Sequence, residues 1–229
     1  MKQLLNLQMS LFGSFENIGV SAPMAAELIP LFNNELIPSV IQLSMVDPSK
    51  NTIQNVNRLS MVSPDGSFGM VFLPDRIDCN YSAKEQVVEL RCLNDLLFQM
   101  CKYLEAAVSH ISAIGNRIAI NGRYVTDEVS CVSNNYIKMP SFFAEKEIVE
   151  WTASNNAITT IEINGVNETV NNILNLSLAR KESDNTVGVM AAFDINTVPM
   201  NTVPRFTSNS FADFLKQAII NIDAITAEV

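Results

Sequence analysis

Histidine is nearly missing from this chain: His110 is the only imidazole in 229 residues. A Ser-His-Asp or Cys-His catalytic arrangement must recruit it. It falls near the end of a predicted helix, beside Val108 and Ile111, where a histidine is an ordinary structural residue. Cysteine is sparse as well. Cys79, Cys92, Cys101 and Cys131 are scattered, with no Cys-x-x-Cys pair. Zinc sites cluster thiolates and imidazoles, so no metal is expected, and the cysteines read as reduced thiols in or near the core. Gly-x-Ser-x-Gly elbows, Walker loops and dinucleotide glycine fingerprints are all missing, and no cofactor is expected. Positive charge is short: 15 Lys and Arg stand against 24 Asp and Glu, for a net charge of -9. The densest basic spot, Arg180-Lys181, is followed at once by Glu182. An acidic surface without a basic patch repels phosphate backbones, which excludes nucleic acid as the expected partner. Long hydrophobic runs are missing too, so no helix is expected to span a membrane. The N-terminal "MKQLLNLQMSLFGSF" has one lysine, and Gln3, Asn6 and Gln8 interrupt its apolar run. It reads as a strand and not as a signal peptide, and the chain is expected to be cytoplasmic.

What is present is ample apolar material. Hydrophobic residues make up 48% of the chain and charged residues 17%, the composition of a globular protein with a real core. Leu5, Leu7, Met9 and Leu11 alternate with polar residues as a first strand. "SAPMAAELIPLFNNEL" follows as a short helix, capped by Ser21, with Pro23 in its first turn and Pro30 shortening it. "IPSVIQLSMVD" and "IQNVNRLSMVS" read as strands parted by Asp47-Pro48-Ser49.

The stretch "SPDGSFGMVFLPDRIDCNYS", Ser63 to Ser82, reads as a meander. Pro64-Asp65-Gly66 is a turn, and Phe68, Met70 and Phe72 oppose Gly69, Val71 and Leu73 on a strand apolar on both faces, placed centrally or covered on both sides. Pro74-Asp75 is the next corner, and Arg76, Asp78 and Asn80 then alternate with Ile77, Cys79 and Tyr81. Ser82-Ala83-Lys84-Glu85 has the form of a capping box. Leu90, Leu93, Leu97, Met100, Leu104, Val108 and Ile111 then predict a helix of about seven turns, ended by Gly115-Asn116. "NRIAINGRYV" reads as a strand with Ile118, Ile120 and Tyr124 on one side. Asp127 to Pro140 reads as a long loop. "KEIVEWTA", "AITTIEINGV", "NNILNLSLARK" and "TVGVMAAFDIN" supply three or four further strands, with Asn164-Gly165 and "KESDN" as turns. "NTVPMNTVP" is an extended connector, and "SFADFLKQAIINIDAI" is an amphipathic helix with Ser210 at its cap and Asp213 in its first turn. Runs of strands without regular helical crossovers imply an α+β protein: antiparallel meanders with a long helix and a C-terminal helix packed on them. Residues 1-229 form one domain in this reading, divisible into halves 1-126 and 141-229 joined by the loop 127-140.

The candidate site is carboxylate-based. Asp75, Arg76 and Asp78, with Asp65 nearby, converge toward one end of the meander, and paired carboxylates can divide acid and base roles. Each also has a structural explanation: Asp65 and Asp75 occupy turn positions, and Arg76 and Asp78 share a strand face and can pair. Met61, Met70 and Met100 take core-like positions.

The run from the Asp-Gly hairpin through the Pro-Asp-Arg corner and long helix to "IGNRIAINGRYV" resembles a diffuse bacterial family with these motifs in this order. The likeness covers about Asn57 to Val125, a third of the chain. That family commonly has tryptophan after the corner-strand asparagine, where this chain has Tyr81. The shared motifs imply a scaffold, and the family brings no catalytic residues. At the level of class, the chain also resembles SecB-like chaperones: acidic, cytoplasmic, homo-oligomeric proteins with antiparallel sheets and long helices that bind unfolded chains along apolar grooves.

These readings point away from an enzyme. The expected function is a non-enzymatic protein-binding module that self-associates or holds a protein partner, as a SecB-like chaperone or a component of a bacterial defence or toxin–antitoxin system. The alternatives are a carboxylate-dependent enzyme using Asp75, Arg76 and Asp78, and a small-ligand sensor with a cavity between sheet and long helix.

Overall fold

The N-terminal alternation is the pattern on which the sheet is built. β1 (Lys2–Phe12) buries Leu7, Met9 and Leu11 and turns Asn6, Gln8 and Ser10 to the opposite face. The computed structural model describes residues 2–47, 52–84, 86–127, 150–180 and 186–227. After β1 come α1 (Ala22–Leu31), β2 (Ile37–Asp47), β3 (Thr52–Val62), β4 (Phe68–Phe72), β5 (Arg76–Ser82) and β6 (Val88–Glu89). A 3₁₀ turn, Leu90–Cys92, leads into α2 (Leu93–His110) and β7 (Arg117–Thr126). β8 (Thr152–Ile163), β9 (Val166–Arg180), β10 (Val187–Thr197) and α3 (Ser210–Ala227) complete the described chain.

All ten described strands join one antiparallel sheet in the order β2-β3-β4-β5-β1-β7-β10-β9-β8, with β6 pairing the start of β1 beside β5. The protein is α+β. Helix α1 packs on β2 and α2, α2 on β1 and β5, and α3 on α2, β7, β8 and β10. One contiguous core lies between these helices and a single face of the sheet. It includes Leu7, Met9 and Leu11 of β1, Met70 and Phe72 of β4, Ile118, Ile120 and Tyr124 of β7, and Phe193 of β10. Leu97, Met100 and Leu104 of α2 and Phe211, Phe214 and Leu215 of α3 close it from above.

The connectivity repeats. β3, β4 and β5 return to β1 in the spatial order β3-β4-β5-β1, and α2 follows; β8, β9 and β10 return to β7 in the order β8-β9-β10-β7, and α3 follows. β1 and β7 pair antiparallel at the junction, with Leu7 opposite Gly122. The topology is therefore that of two four-strand-and-helix units about an approximate two-fold axis, with β2 added in the first connection.

Local chemistry accounts for the ends. Ser21 caps α1 by accepting from the Met24 amide, and Pro23 occupies its first turn. Gly66 at φ 66° closes the β3–β4 turn, while Asn164 at φ 52° and Gly165 at φ 75° form the β8–β9 turn. That second turn is held from above: the Asn164 amide donates to Asp213 and its side-chain amide donates to Ser210, both in the first turn of α3.

Two expectations are corrected. Ser82-Ala83-Lys84-Glu85 does not cap a helix. Ser82 remains in β5 opposite Asn6, its amide donates to the Ser67 carbonyl, and the Ala83 amide donates to that of Leu5. Lys84, at φ 48°, turns the chain into β6, so sheet hydrogen bonds prevail over the local capping pattern and α2 starts at Leu93. α2 ends at His110, before Gly115: Ser112, at φ 51°, takes the left-handed position. Gly115 instead bridges to Phe206, and the Leu11 side chain and Phe12 carbonyl of β1 press so close that the position requires a glycine. β4 lies inside the sheet between β3 and β5, the central placement its two apolar faces imply, with Gly69 and Val71 of its second face half-exposed. The turn at Pro48 and Ser49, most of the loop 127-140, Cys131 and the "KESDN" turn lie outside the described residues.

Candidate functional site

With the helices on one face, the other face of the sheet carries the polar set of the strand pattern. Asn6, Gln8 and Ser10 of β1 lie between Asp78, Asn80 and Ser82 of β5 and Ala119, Asn121 and Arg123 of β7. β10 adds Ala192, Asp194 and Asn196, and β9 adds Asn171, Ile173 and Asn175. The face is rich in amides, with Asp78, Arg123 and Asp194 set among them. Amide side chains present a donor and an acceptor together, as does a peptide backbone.

Asp75, Arg76 and Asp78 reach this face from the β4–β5 corner. Arg76 Nε donates to Asp78 Oδ2 at 2.8 Å, and Ser10 Oγ donates to Asp78 Oδ1 at 2.6 Å. Asp75 approaches the same guanidinium at 3.7 Å. Asp78 is 4% exposed, so its charge is carried by these two donors and not by solvent. The carboxylate beside it holds the Arg76 guanidinium firmly protonated. All three residues are thus brought together, in mutual pairing. Asp65 stands apart in the β3–β4 turn. It accepts from the Ser63 hydroxyl, the Ser67 amide and the Ser67 hydroxyl. Those bonds hold its carboxyl at about 2.

His110 Nε2 lies 3.0 Å from Glu27 Oε2, tying the end of α2 to α1. Cys79 and Cys101 are buried thiols, and burial pushes both far above the usual thiol range, which leaves them unreactive. Cys92 is half-buried ahead of α2. Met9, Met61, Met70 and Met100 are fully buried in the core. Among the described residues, no group of three or more His, Cys, Asp or Glu side chains is placed to hold a metal. No described helix is long and apolar enough to cross a membrane.

Two features were not singled out from the sequence. One is the part-buried pair Arg205–Glu168. Arg205 Nε and Nη2 donate to the two carboxylate oxygens at 2.6 and 2.9 Å, and Nη1 donates to the Asn116 carbonyl, pinning the segment before α3 to β9 and to the start of β7. The other is a groove of about 600 Å³ on the open face where β1, β7, β9 and β10 end. Leu5, Val125, Ala179, Val187 and Met190 give it apolar walls, with Gln3, Thr126, Asp127, Arg180 and Thr186 also lining it. A register shift in β1 between Leu4 and Asn6 lets Leu4 enter the core while Leu5 joins the groove. Gly188 deepens it, since a Cβ there would lie 2.9 Å from the Thr126 carbonyl oxygen. The adjacent leucines in an otherwise alternating strand are the signal in the sequence that marks this shift. Neither this groove nor the two smaller cavities beside α2 is lined by Asp75, Arg76 or Asp78. No protein-family model and no curated protein matches the chain.

Proposed function

We propose that this chain is a non-enzymatic protein-binding module that seats an extended segment of a partner chain on the open face of its sheet, in the manner of SecB-like holding chaperones. The observation that carries the reading is the groove at Leu5, Val125, Ala179, Val187 and Met190. It offers apolar side-chain sites from four strands, and the amide rows of β1, β5, β7, β9 and β10 continue from it across the same face. Apolar sites flanked by donor–acceptor pairs suit a peptide in extended form, whose backbone needs both kinds of partner. Asp75, Arg76 and Asp78 serve this reading as scaffold. Their mutual bonds hold the β4–β5 corner against β1.

The test compares the wild type with Val125→Asp and Met190→Asp. Light scattering follows a chemically denatured model enzyme as it aggregates on dilution, and affinity purification from the native host identifies retained chains. The wild type should delay aggregation or retain a stoichiometric partner. Each variant should lose that binding by about tenfold or more, because a carboxylate in an apolar site costs more than the 1.4 kcal/mol that corresponds to tenfold. Variants that bind as well as the wild type sink the assignment of the groove. A wild type that neither delays aggregation nor retains a partner sinks the module.

A further inference from the structure

We infer that β2 is a self-association edge, at which two copies of this chain pair β2 to β2 antiparallel and continue the sheet from one copy into the other. Among the described residues, β2 is an outermost strand along its whole length. Between Glu35 and Asp47 it carries no charged residue. Two of its apolar residues stand exposed: Ile37 is 51% and Val40 52% exposed. Soluble proteins usually blunt such an edge with charge, a bulge or a covering element, because its unpaired N–H and C=O groups template another strand. Here β2 pairs β3 without a register shift from Ile37 to Asp47, and Pro38 removes only one donor near one end.

The β2–β3 ribbon adds an independent reason. β3 pairs with β4 only at Ser60, Met61 and Val62. Arg58 ties the ribbon's base to the chain after β1, donating to the Ile18 carbonyl at 3.0 Å and more weakly to that of Glu16. Beyond it the pairs from Gln42↔Asn57 to Asp47↔Thr52 run on with no strand among the described residues against either edge. That overhang is about 20 Å at the usual rise of a strand. A two-stranded ribbon is only marginally stable in water, so this one calls for a third strand.

A second copy of the chain supplies it. An antiparallel pair of identical edges is self-complementary by symmetry, and it closes as a dimer. Each copy carries a charge of -9, which opposes association through charged surface, but β2 meets β2 across an uncharged run. In the register of fullest overlap, Asp47 of one copy faces Ile37 of the other, so the two aspartates stay at opposite ends. Two strands of this length form about ten backbone hydrogen bonds, the number found in a typical stable interface. β8, the opposite edge, is also uncharged from Trp151 to Ile161. Its exposed positions include Ile158, 68% exposed, among the polar Ser154, Asn155, Asn156, Thr159 and Thr160. But β9, which backs it from Thr152 to Ile163, is itself paired with β10 from Val170 to Arg180, so this edge does not overhang as the β2–β3 ribbon does.

The experiment is sedimentation velocity with light scattering at micromolar concentrations and above. The full-length wild type should have the mass of two chains. Val40→Lys/Gln42→Lys, which sets like charges across the pair, should have the mass of one with an unchanged far-UV spectrum, and Ile158→Lys on β8 should remain a dimer. A wild type of one-chain mass overturns the inference. So does growth into open polymers, which would signal β2 pairing with β8, and so does dissociation by Ile158→Lys but not by the β2 variant. Hydrogen exchange on the wild type gives a reading without substitution: β2 amides should gain protection as concentration rises, and concentration-independent exchange overturns the pairing. Neither measurement involves the groove, so failure here leaves the proposed peptide site standing, and the reverse holds.

Discussion

Tyr103 lies on α2 with its ring buried edge-on against Phe32 and Phe68, at 5.4 and 5.9 Å between ring centres. Its hydroxyl donates to the Glu35 carboxylate and accepts from Gln99 Nε2. Burial disfavours the phenolate, the bond to Glu35 disfavours it further, and together they push the phenol up to about 12 from 10 in an open chain. A group whose folded pKa is raised stabilises the fold fully below its unfolded pKa, and loses that contribution as pH rises through the folded one. The contribution of Tyr103 should therefore be intact below about pH 10 and vanish between about pH 10 and 12. Absorbance titration of phenolate should show a step near 12 that Tyr103→Phe removes, and the variant should lose less stability than the wild type over that window. If every tyrosine of the wild type ionises near 10, the link between Tyr103 and Glu35 is wrong.

Among the elements, two glycines separate backbone freedom from close approach. Gly165, in the β8–β9 turn at φ 75°, has nothing within 4 Å of where a Cβ would sit. Gly165→Ala should cost about 1 kcal/mol, the left-handed penalty alone. Gly115 has no such φ, but a Cβ there would lie 2.5 Å from the Phe12 carbonyl oxygen and 2.4 Å from Leu11 Cδ1. Backbone on both sides is fixed by the Gly115–Phe206 bridge, so Gly115→Ala should cost about 3 kcal/mol by overpacking. Denaturant midpoints decide it, and equal losses would refute the distinction. In the sequence, Gly165 is legible because Asn-Gly between alternating runs has a local cause. Gly115 reads as a helix stop, since its neighbours Phe12 and Phe206 are distant in the chain. The same division runs through the fold. The strands, α1, the core faces of α2 and α3, and the pairing of Arg76 with Asp78 follow local periodicity and are readable. The start of α2 is not, because the bonds that keep Ser82 and Ala83 extended come from Leu5, Asn6 and Ser67. The groove escapes for a related reason: four separate strands form it, and only the consecutive Leu4 and Leu5 mark it locally.

At the scale of the molecule, the repeat makes β1 and β7 the hinge of the stability argument. Their ladder runs from Lys2↔Thr126 to Phe12↔Arg117, and Leu7, Gly122 and Phe193 meet across it in the core. Losing either unit would strip one edge of this central pair, expose the face that Leu7, Met9 and Leu11 share with Ile118 and Ile120, and separate α2 from α3. Each unit alone would thus surrender apolar burial that belongs to both, and the cost of one unit's unfolding falls on the other. The chain should unfold in one transition despite its two-part topology. The probes to test this are already in place. Trp151, the sole tryptophan, packs half-buried against the core beside β8 in the second unit, while Tyr81 and Tyr103 lie in the first and Tyr124 lies on β7 at the junction. Tryptophan fluorescence, near-ultraviolet tyrosine dichroism and far-ultraviolet dichroism should give one denaturation midpoint. A tryptophan transition displaced from the tyrosine transition would show that the units hold separate stabilities and that the β1–β7 ladder joins them without coupling them.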